Sequence, residues 1–240
     1  MTGRTPQCRI LHAPSAEEPF VVLEKPAGLP TAPLFPGDVS ALACAERLFP
    51  QVATVSGKKE IEHGLVHRID TETAGLVLIA ASQPFFDFLL AAQKEGRFKK
   101  RYRARVERVP GISGLLEGFP PFEPLTGSGA VRVRSRFRPF GRGGREVRPV
   151  TERSGRAALK KCGATTYETE ISYNAETGTA VCEIANGFRH QVRAHLALCG
   201  IPVRGDRLYN PRPAAGERLR FEAFRLEFPG RGKQFVFETQ

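Results

Sequence analysis

The sequence predicts an α+β fold, with a mixed, mainly antiparallel β-sheet and flanking helices. Short β-prone segments outnumber helical ones, and the chain lacks the regular strand–helix–strand alternation that is typical of parallel sheets. The 240 residues are 41% hydrophobic and 25% charged, as in ordinary globular proteins. This length suits one sizeable domain or two closely packed lobes.

Eight segments have the β-branched, aromatic or alternating residues that predict strands. They are residues 20–23, 75–80, 102–106, 130–137, 165–173, 179–185, 219–228 and 234–238. The segment GLVLIA is continuously apolar and predicts a buried strand, whereas YRARV alternates and predicts a strand exposed on one face.

Three segments are predicted as helices: residues 42–49, 85–95 and 189–199. Apolar residues recur at helical spacing in the second of these. The third ends before Gly200, a residue type that favours helix termination.

Two segments have compositions that argue against regular structure. Residues 138–161 are rich in Arg, Gly and Pro, which predicts a mobile loop or a hairpin extension. Residues 1–18 are polar and interrupted by Pro6 and Pro14, so we expect a flexible lead-in. The remaining residues, 19–240, are expected to form one domain.

The charge balance favours a polyanionic partner. Lys and Arg number 36 against 25 Asp and Glu, a formal net charge of +11. Basic side chains bind phosphates with release of counterions, although such a surplus also serves solubility alone. Composition leaves both interpretations open.

The five cysteines are scattered, without a CxxC pair or zinc-ligand spacing. This pattern predicts reduced thiols and no metal site. The N-terminus has no apolar signal core and no apolar stretch is long enough to cross a bilayer, so we expect a cytoplasmic protein without a membrane partner.

The segment HRIDTETAG places a carboxylate in a polar turn, immediately before the apolar strand. Asp70 lies two residues after Arg68, whose guanidinium would favour the ionised form in a partly dry pocket. Such an aspartate can act as nucleophile or base. Position alone favours the simpler alternative, a turn aspartate that caps the local backbone.

The segment GFRHQVRAHL places several hydrogen-bond donors at the positive end of a predicted helix. Arg189, His190, Gln191 and Arg193 could there bind a phosphate or a carboxylate. A solvated basic face with His195 partly packed explains the pattern equally well.

Together the two segments are much more specific. HRIDTETAGLVLIA resembles the first signature of the RluA-type pseudouridine synthases, and GFRHQVRAHLALCGIPVRGDRLY resembles their second. Three shorter blocks, VVLEKPAGLPTAP, KRYRARVE and RLRFEAFRLEF, agree in order and spacing. The resemblance runs from about residue 20 to residue 237. It implies the pseudouridine synthase fold with a central catalytic cleft over residues 19–240, and isomerisation of uridine in ribosomal or transfer RNA.

The resemblance also implies roles for individual residues. Asp70 matches the catalytic aspartate, and Tyr102 matches the tyrosine that stacks on the target base and is the candidate for moving the C5 proton. Arg193 matches the basic residue that pairs with the catalytic carboxylate. Arg68 matches the arginine that fills the gap left by the flipped nucleotide.

Further matching positions are expected to contact the substrate. Ile69 and Leu76 would form apolar walls of the pocket, and His67, with the polar residues Arg189, His190 and Gln191, would contact RNA.

The reaction explains these residue types. Uracil must leave C1′, turn and rejoin through C5, which requires the base to be flipped out of the stack. The carboxylate could add to the sugar C1′ or to the base C6, and the sequence does not choose between them. Nothing is oxidised and no water is consumed, so we expect neither cofactor nor metal, and water must be excluded.

The chain departs from the pattern in places. Phe188 stands where the family usually has Arg or Lys, and Ala74, Glu72 and Glu24 replace the common Ser, Asp, and Asp or Asn. The small RNA-binding module that precedes many relatives is not expected, so structured RNA would be bound by a monomer through its basic segments. Those are residues 58–59, 97–105, 132–148 and 160–161, although each is also explained as a solvated face.

Two other functions remain open at this point. One is a catalytically inactive RNA-binding protein of the same fold, which an intact Asp70, Tyr102 and Arg193 set disfavours. The other is a hydrolase that cleaves glycosidic bonds, and such enzymes typically need two carboxylates close together.

Overall fold

A computed structural model describes residues 7–109 and 112–239. The chain divides into two compact units. The first comprises the described residues up to Lys100 together with those from Glu222 onward, and the second spans Arg101–Phe221. The chain therefore leaves the first unit after its first hundred residues and returns to it for the final strands.

The described residues form ten strands and five α-helices. In chain order these are β1 (Arg9–His12), β2 (Phe20–Lys25), α1 (Ala41–Leu48), β3 (Ala74–Ala80), α2 (Gln83–Lys94), β4 (Lys99–Arg105), α3 (Ile112–Leu115), β5 (Gly129–Phe140), β6 (Glu146–Val150), α4 (Arg156–Lys161), β7 (Tyr167–Asn174), β8 (Thr179–Ile184), α5 (Gln191–Leu198), β9 (Phe221–Pro229) and β10 (Gln234–Glu238).

In the first unit the strand order is β1-β2-β3-β9, and β10 pairs with β9. The β3–β9 pair is parallel, and the other pairs are antiparallel. Strands β2 and β3 are buried along almost their whole length, which explains their continuous apolar sequences.

The core of the first unit forms where α2 packs against these strands. Phe85 and Leu89 of α2 join Phe20, Leu78 and Phe228 in one cluster of buried side chains. Burial of a Leu or Phe side chain stabilises a fold by about 1.5–3 kcal/mol. The helical spacing of Phe85 and Leu89 thus fixes α2 against the sheet. Strand β3 of this sheet directly follows the turn with residues 70–73.

In the second unit the strand order is β4-β8-β7-β5-β6. Strand β5 pairs antiparallel with β6 and with β7, and β7 pairs antiparallel with β8. Helix α5 is buried along its whole length, and Ala194 and Ala197 belong to a core cluster with Phe137, Val147 and Tyr209.

The predicted α+β class with a mainly antiparallel sheet is confirmed, and so are the eight predicted strands and three predicted helices, within a few residues at their ends. Strand β1 was not predicted, because RILH is short and follows a polar stretch. It forms by pairing with β2, with an ion pair from Arg9 to Glu24. It lies inside the segment 1–18 predicted as a flexible lead-in, of which residues 1–6 lie outside the described residues.

The Arg- and Gly-rich segment is largely regular. Strand β5 continues to Phe140 and returns through a tight turn into β6, so the hairpin alternative is confirmed. Helix α4 follows, which the composition did not predict. Arg148 is buried with its guanidinium 3.9 Å from the ring centroid of Phe140, which shows how arginine can take part in packing here.

Across residues 7–109 and 112–239, none of the helices combines the length and the apolar character that spanning a membrane requires.

Gly75 allows the parallel approach of β3 to β9. Its φ is +125°, and a Cβ atom there would lie 2.2 Å from the carbonyl oxygen of Ala223. We expect Gly75→Ala to lower the free energy of unfolding by at least about 2 kcal/mol, because the backbones would have to separate. Chemical denaturation measures this change.

Gly129→Ala is the matched control. A Cβ atom at Gly129 meets open space, so its effect should stay within about 0.5 kcal/mol. Equal stability of the two variants would contradict the close approach described for Gly75.

Candidate active site

Asp70 lies half-buried in a turn that leads directly into β3. The amide of Thr73 donates a hydrogen bond to the carbonyl oxygen of Asp70 at 3.0 Å and closes this turn. The rigid strand that follows therefore fixes where the aspartate backbone stands.

Lys25 ties a second loop to the same turn. Its ammonium group, at the end of β2, donates to the carbonyl oxygens of Pro26 (3.0 Å), Leu29 (2.7 Å) and Thr71 (3.1 Å). The amide of Gly28 donates to the carbonyl of Thr71 as well, at 2.8 Å. The residue that follows Asp70 is thus bonded to the loop after β2 at two points.

Lys25 is fully buried, and burial lowers the pKa of its ammonium group to about 8. The charges of Cys8, Asp70 and Glu72 act in the opposite direction and raise the Lys25 pKa. Attraction between charges is mutual, so Lys25 also contributes positive potential at the carboxylate of Asp70.

Thr31 fixes the residue on the other side of Asp70. Its hydroxyl donates to the carbonyl of Ile69 at 2.6 Å and accepts from the Ile69 amide at 3.3 Å. Ile69 is buried, as expected for an apolar wall, and Leu76 lies deeper, in the core cluster of the first unit. Their contact with a substrate stays a prediction.

Arg68 is about half exposed and ion-paired to Glu62 at 2.9 Å. Glu62 is itself buried, so its carboxylate holds the guanidinium at a defined place on the surface. An exposed arginine next to Asp70 is consistent with the predicted role of Arg68 in contacting RNA.

His67 is buried and neutral. Its Nε2 accepts a hydrogen bond from the amide of Leu78 at 3.1 Å, so the ring proton resides on Nδ1. Burial lowers the pKa of His67 well below its usual value, and the charges of Lys100 and Lys58 lower it further.

In the second unit, Arg193 forms a bidentate ion pair with Asp206. Both N–O distances are 2.7 Å, and both residues are buried. Asp206 also accepts from the amides of Leu208 and Tyr209, which fixes the carboxylate in place. The guanidinium of Arg193 is therefore held in one orientation before any substrate binds.

A buried polar network anchors helix α5. His195 is hydrogen-bonded to Ser135 through Nε2 and to Thr169 through Nδ1, each at 2.8 Å. The amide nitrogen of Gln191 donates to the hydroxyl of Thr169, and its oxygen accepts from the amide of Phe188. Burial lowers the pKa of His195 to about 3.

The residues at the start of α5 also bond within the protein. His190 has a left-handed backbone, with φ of 55°, and its Nδ1 lies 2.9 Å from the hydroxyl of Tyr209. Arg189 donates to the carbonyl oxygens of Gly144 and Glu146. Binding of RNA by Arg189, His190 and Gln191 stays a prediction, and the structure gives all three a structural role.

Two pairs of aromatic residues in this unit are stacked. Tyr102 is buried and lies parallel to Phe221, with ring centroids 5.1 Å apart. Phe188 stacks on Phe137 at 5.0 Å and packs against Tyr167, which explains the apolar residue at a position where Arg or Lys is usual.

Much of the positive charge expected to bind RNA is paired with carboxylates. The pairs are Arg97 with Glu95, Arg101 with Glu183, Arg132 with Glu170, Arg134 with Glu168, and Arg148 with Glu146. Exposed ion pairs stabilise a protein by about 0–1 kcal/mol, so a phosphate could displace those at the surface at little cost.

The predicted site residues thus fall into two groups. Asp70 lies with His67, Arg68, Ile69 and Leu76 in the first unit, and Tyr102 lies in the second with the residues of α5. The pairing of Asp70 with Arg193 and Tyr102 stays a prediction.

Sequence reasoning missed the side chains that position these residues: Lys25, Thr31, Glu62 and Asp206. Three of them lie in sequence blocks that the resemblance includes: Lys25 and Thr31 in VVLEKPAGLPTAP and Asp206 in GFRHQVRAHLALCGIPVRGDRLY. Among the described residues, no group of three or more His, Cys, Asp or Glu side chains is placed to hold a metal ion.

Comparison with known proteins gives a consistent result. A family model described as RNA pseudouridylate synthase matches residues 19–198. Ribosomal large subunit pseudouridine synthase D of Zymomonas mobilis is 27% identical over 236 residues, which cover 93% of this chain and 67% of that protein. An uncharacterized RNA pseudouridine synthase of Chloroflexus aurantiacus is 30% identical over 190 residues, which cover 78% of this chain and 51% of that protein. The chain thus spans about two thirds of the first relative's length and half of the second's.

The solved structure of human RNA Pseudouridylate Synthase Domain Containing 1 has a similar fold. The TM-score is 0.67 at 17% identity, and the match covers 100% of this chain and 86% of the human chain. This likeness confirms the predicted fold.

Lys25→Met should loosen the Asp70 turn, because the carbonyl groups of Pro26, Leu29 and Thr71 each lose the hydrogen bond from the ammonium group. We expect the amides of Gly28 and Thr73 to exchange with solvent at least about tenfold faster. Hydrogen exchange followed by NMR measures both. Lys94→Met, at an exposed lysine of the same unit, should leave these rates unchanged, and unchanged rates in Lys25→Met would refute the role given to Lys25.

The stability of the protein should fall as the pH drops from 6.5 towards 3, partly because of His195. Its pKa is about 3 in the folded state against 6.5 normally, so the unfolded chain takes up the proton first. Because of this proton uptake, the free energy of unfolding falls more steeply with decreasing pH, by up to about 1.4 kcal/mol per pH unit. Urea unfolding of His195→Gln should show a shallower dependence over this range, and identical slopes would contradict the assignment.

Proposed function

We propose that this chain, which belongs to the RNA pseudouridylate synthase family, isomerises uridine to pseudouridine in RNA. One observation carries the proposal: within the matched residues, Asp70 stands half-buried on a turn that two distant residues, Lys25 at the end of β2 and Thr31 in the loop that follows, hold in place. A capping aspartate would need no such support, whereas a nucleophile must be held in a productive geometry.

In the proposed reaction, the target nucleotide leaves the RNA stack and Asp70 attacks it. The glycosidic bond between N1 and C1′ breaks, uracil turns, and C5 bonds to C1′. The bond to the Asp70 carboxylate is released in the same sequence, C5 loses its proton, and N1 takes up a proton. Attack at C1′ and attack at C6 both remain possible first steps. The hydrogen bond from Lys25 to the carbonyl of Thr71 helps to hold the attacking carboxylate in place for either step.

The remaining roles follow the sequence expectations. We assign Tyr102 to stacking on the uracil ring and to moving the C5 proton, and Arg193 to pairing with the Asp70 carboxylate. Asp206 then acts as a positioning residue, because it holds the Arg193 guanidinium through two hydrogen bonds.

Arg68 is proposed to fill the space that the flipped nucleotide leaves. The side chain is half exposed, so it can reach RNA without unfolding any element. Its partner Glu62 is buried and would release Arg68 during RNA binding, while the ammonium group of Lys59, 3.7 Å from the Glu62 carboxylate, remains as a partner for that carboxylate.

The substrate is proposed to be ribosomal RNA, with transfer RNA as the alternative. The support is the name of the Zymomonas mobilis relative, which refers to the large ribosomal subunit. A cytoplasmic location and a monomeric state are part of the same proposal, and the net charge of +11 suits a polyanionic substrate.

Asp70→Asn tests the proposal. We expect it to abolish pseudouridine formation and leave RNA affinity within about twofold, because the amide keeps the shape of the side chain but cannot act as nucleophile. The readouts are tritium release from RNA labelled at uridine C5 and carbodiimide mapping of the product. Unmodified ribosomal and transfer RNA transcripts serve as substrates.

Glu72→Gln is the matched control, since it removes an exposed carboxylate from the same turn and should retain full activity. Turnover by Asp70→Asn would refute the mechanism. RNA binding without tritium release by the wild-type protein would instead identify a catalytically inactive RNA-binding protein, and release of free uracil would identify a hydrolase.

A further inference from the structure

Three basic side chains of the first unit, Lys58, His67 and Lys100, lie in one region, and two of them contact the ring of Phe98. The ammonium group of Lys100 lies 5.0 Å from the ring centroid of Phe98, and the ring of His67 meets the same phenylalanine edge-on at 5.3 Å. Lys58, at the surface, donates to the carbonyl of the buried residue Val66 at 3.1 Å. The charges of Lys58 and Lys100 both act on His67, so the three basic groups lie near one another.

This cluster lacks a negative charge. In the parts of the chain that the structure describes, no carboxylate lies within ion-pair distance of the ammonium groups of Lys58 or Lys100. Glu62 is close enough to influence Lys58, but its carboxylate is bound to Arg68. Buried cations in folded proteins are normally paired, and Lys100 is only 3% exposed.

The pKa values reflect this imbalance. Burial, and to a smaller extent the charge of Lys58, lower the pKa of Lys100 to about 7. Burial also lowers the pKa of Lys58. The contact with Phe98 compensates Lys100 only in part, since a cation–π interaction contributes about 0.5–2 kcal/mol.

His67 adds a hydrogen-bond donor to the cluster. Its Nε2 accepts from the Leu78 amide, so Nδ1 carries the proton. This Nδ1 group is buried and has no hydrogen-bond partner among the described residues. A buried N–H group without a partner costs about 1–3 kcal/mol, which a bound acceptor would recover.

We propose that Lys58, His67 and Lys100 form a binding site for one phosphate group of the RNA backbone. The inference rests on the proposed function, and it assigns one phosphate to three donors from segments that the sequence analysis expected to contact RNA. A phosphate has several oxygens in different directions, so it can accept from three donors that approach from different elements. Because His67 directly precedes Arg68, the bound phosphate fixes the RNA backbone beside the segment that carries Asp70.

The salt dependence of RNA binding tests the site. Each phosphate contact on single-stranded RNA adds about 0.7 to the slope of log affinity against log salt concentration. We expect Lys58→Met and Lys100→Met each to reduce this slope for a labelled oligouridylate by up to about 0.7. The double variant should lose about 0.7 and not twice that amount, because both lysines bind the same phosphate.

Lys94→Met provides the control, since it removes the same charge from an exposed position of α2 and should leave the slope unchanged. Folding is checked by thermal denaturation. Lys100→Met replaces a buried cation with an apolar side chain of similar length, so its melting temperature should equal or exceed that of the wild-type protein. The loss of affinity then reflects the site and not unfolding.

Inorganic phosphate gives a second readout that does not depend on catalysis. It should raise the melting temperature of the wild-type protein more than chloride does at equal ionic strength, and Lys100→Met should lose this difference. Equal salt slopes in wild-type, Lys58→Met and Lys100→Met proteins would overturn the site. Tritium release by the wild-type protein, measured in parallel, tests the proposed function separately, so either proposal can fail alone.

Discussion

The structure of the candidate site depends on one buried ammonium group. Lys25 stands at the end of an interior strand, where an unpaired charge would be very unfavourable, and three backbone carbonyls accept its hydrogen bonds. One of these carbonyls belongs to Thr71, beside Asp70. The requirement to solvate the buried cation therefore also determines where the loop after β2 and the Asp70 turn meet.

In the second unit the buried charge is negative, and hydrogen-bond donors compensate it. Asp206 is fully buried, and it is compensated by the guanidinium of Arg193 and by two backbone amides. Removing either partner of such a pair costs about 3–5 kcal/mol, because the other charge remains buried. Arg193 and Asp70 are each held by neighbours within their own unit, which is the preorganisation that catalysis requires.

The distribution of charge distinguishes structural from functional basic residues. Several arginines of the basic segments have carboxylate partners, as Arg132 and Arg134 do on β5, so the count of 36 Lys and Arg residues overstates the positive charge available to RNA. Lys58 and Lys100 differ, since neither has a carboxylate partner among the described residues and the charge of Lys58 acts on Lys100. An unbalanced cluster is more informative than a count of charges, because a fold normally pairs the charges that it buries.

The sequence by itself determined the elements whose periodicity is strong, such as the apolar strand β3 and the amphipathic helix α2, and it identified Asp70 through its motif. It missed β1, which is short and forms by pairing with β2, and α4, which is short and lies in an Arg- and Gly-rich segment. Tertiary structure alone decided which side chains support the site: Lys25 and Thr71 are 46 positions apart, and no local pattern links them. Local propensity acts over a few residues, whereas hydrogen bonds between loops exist only once the chain has folded.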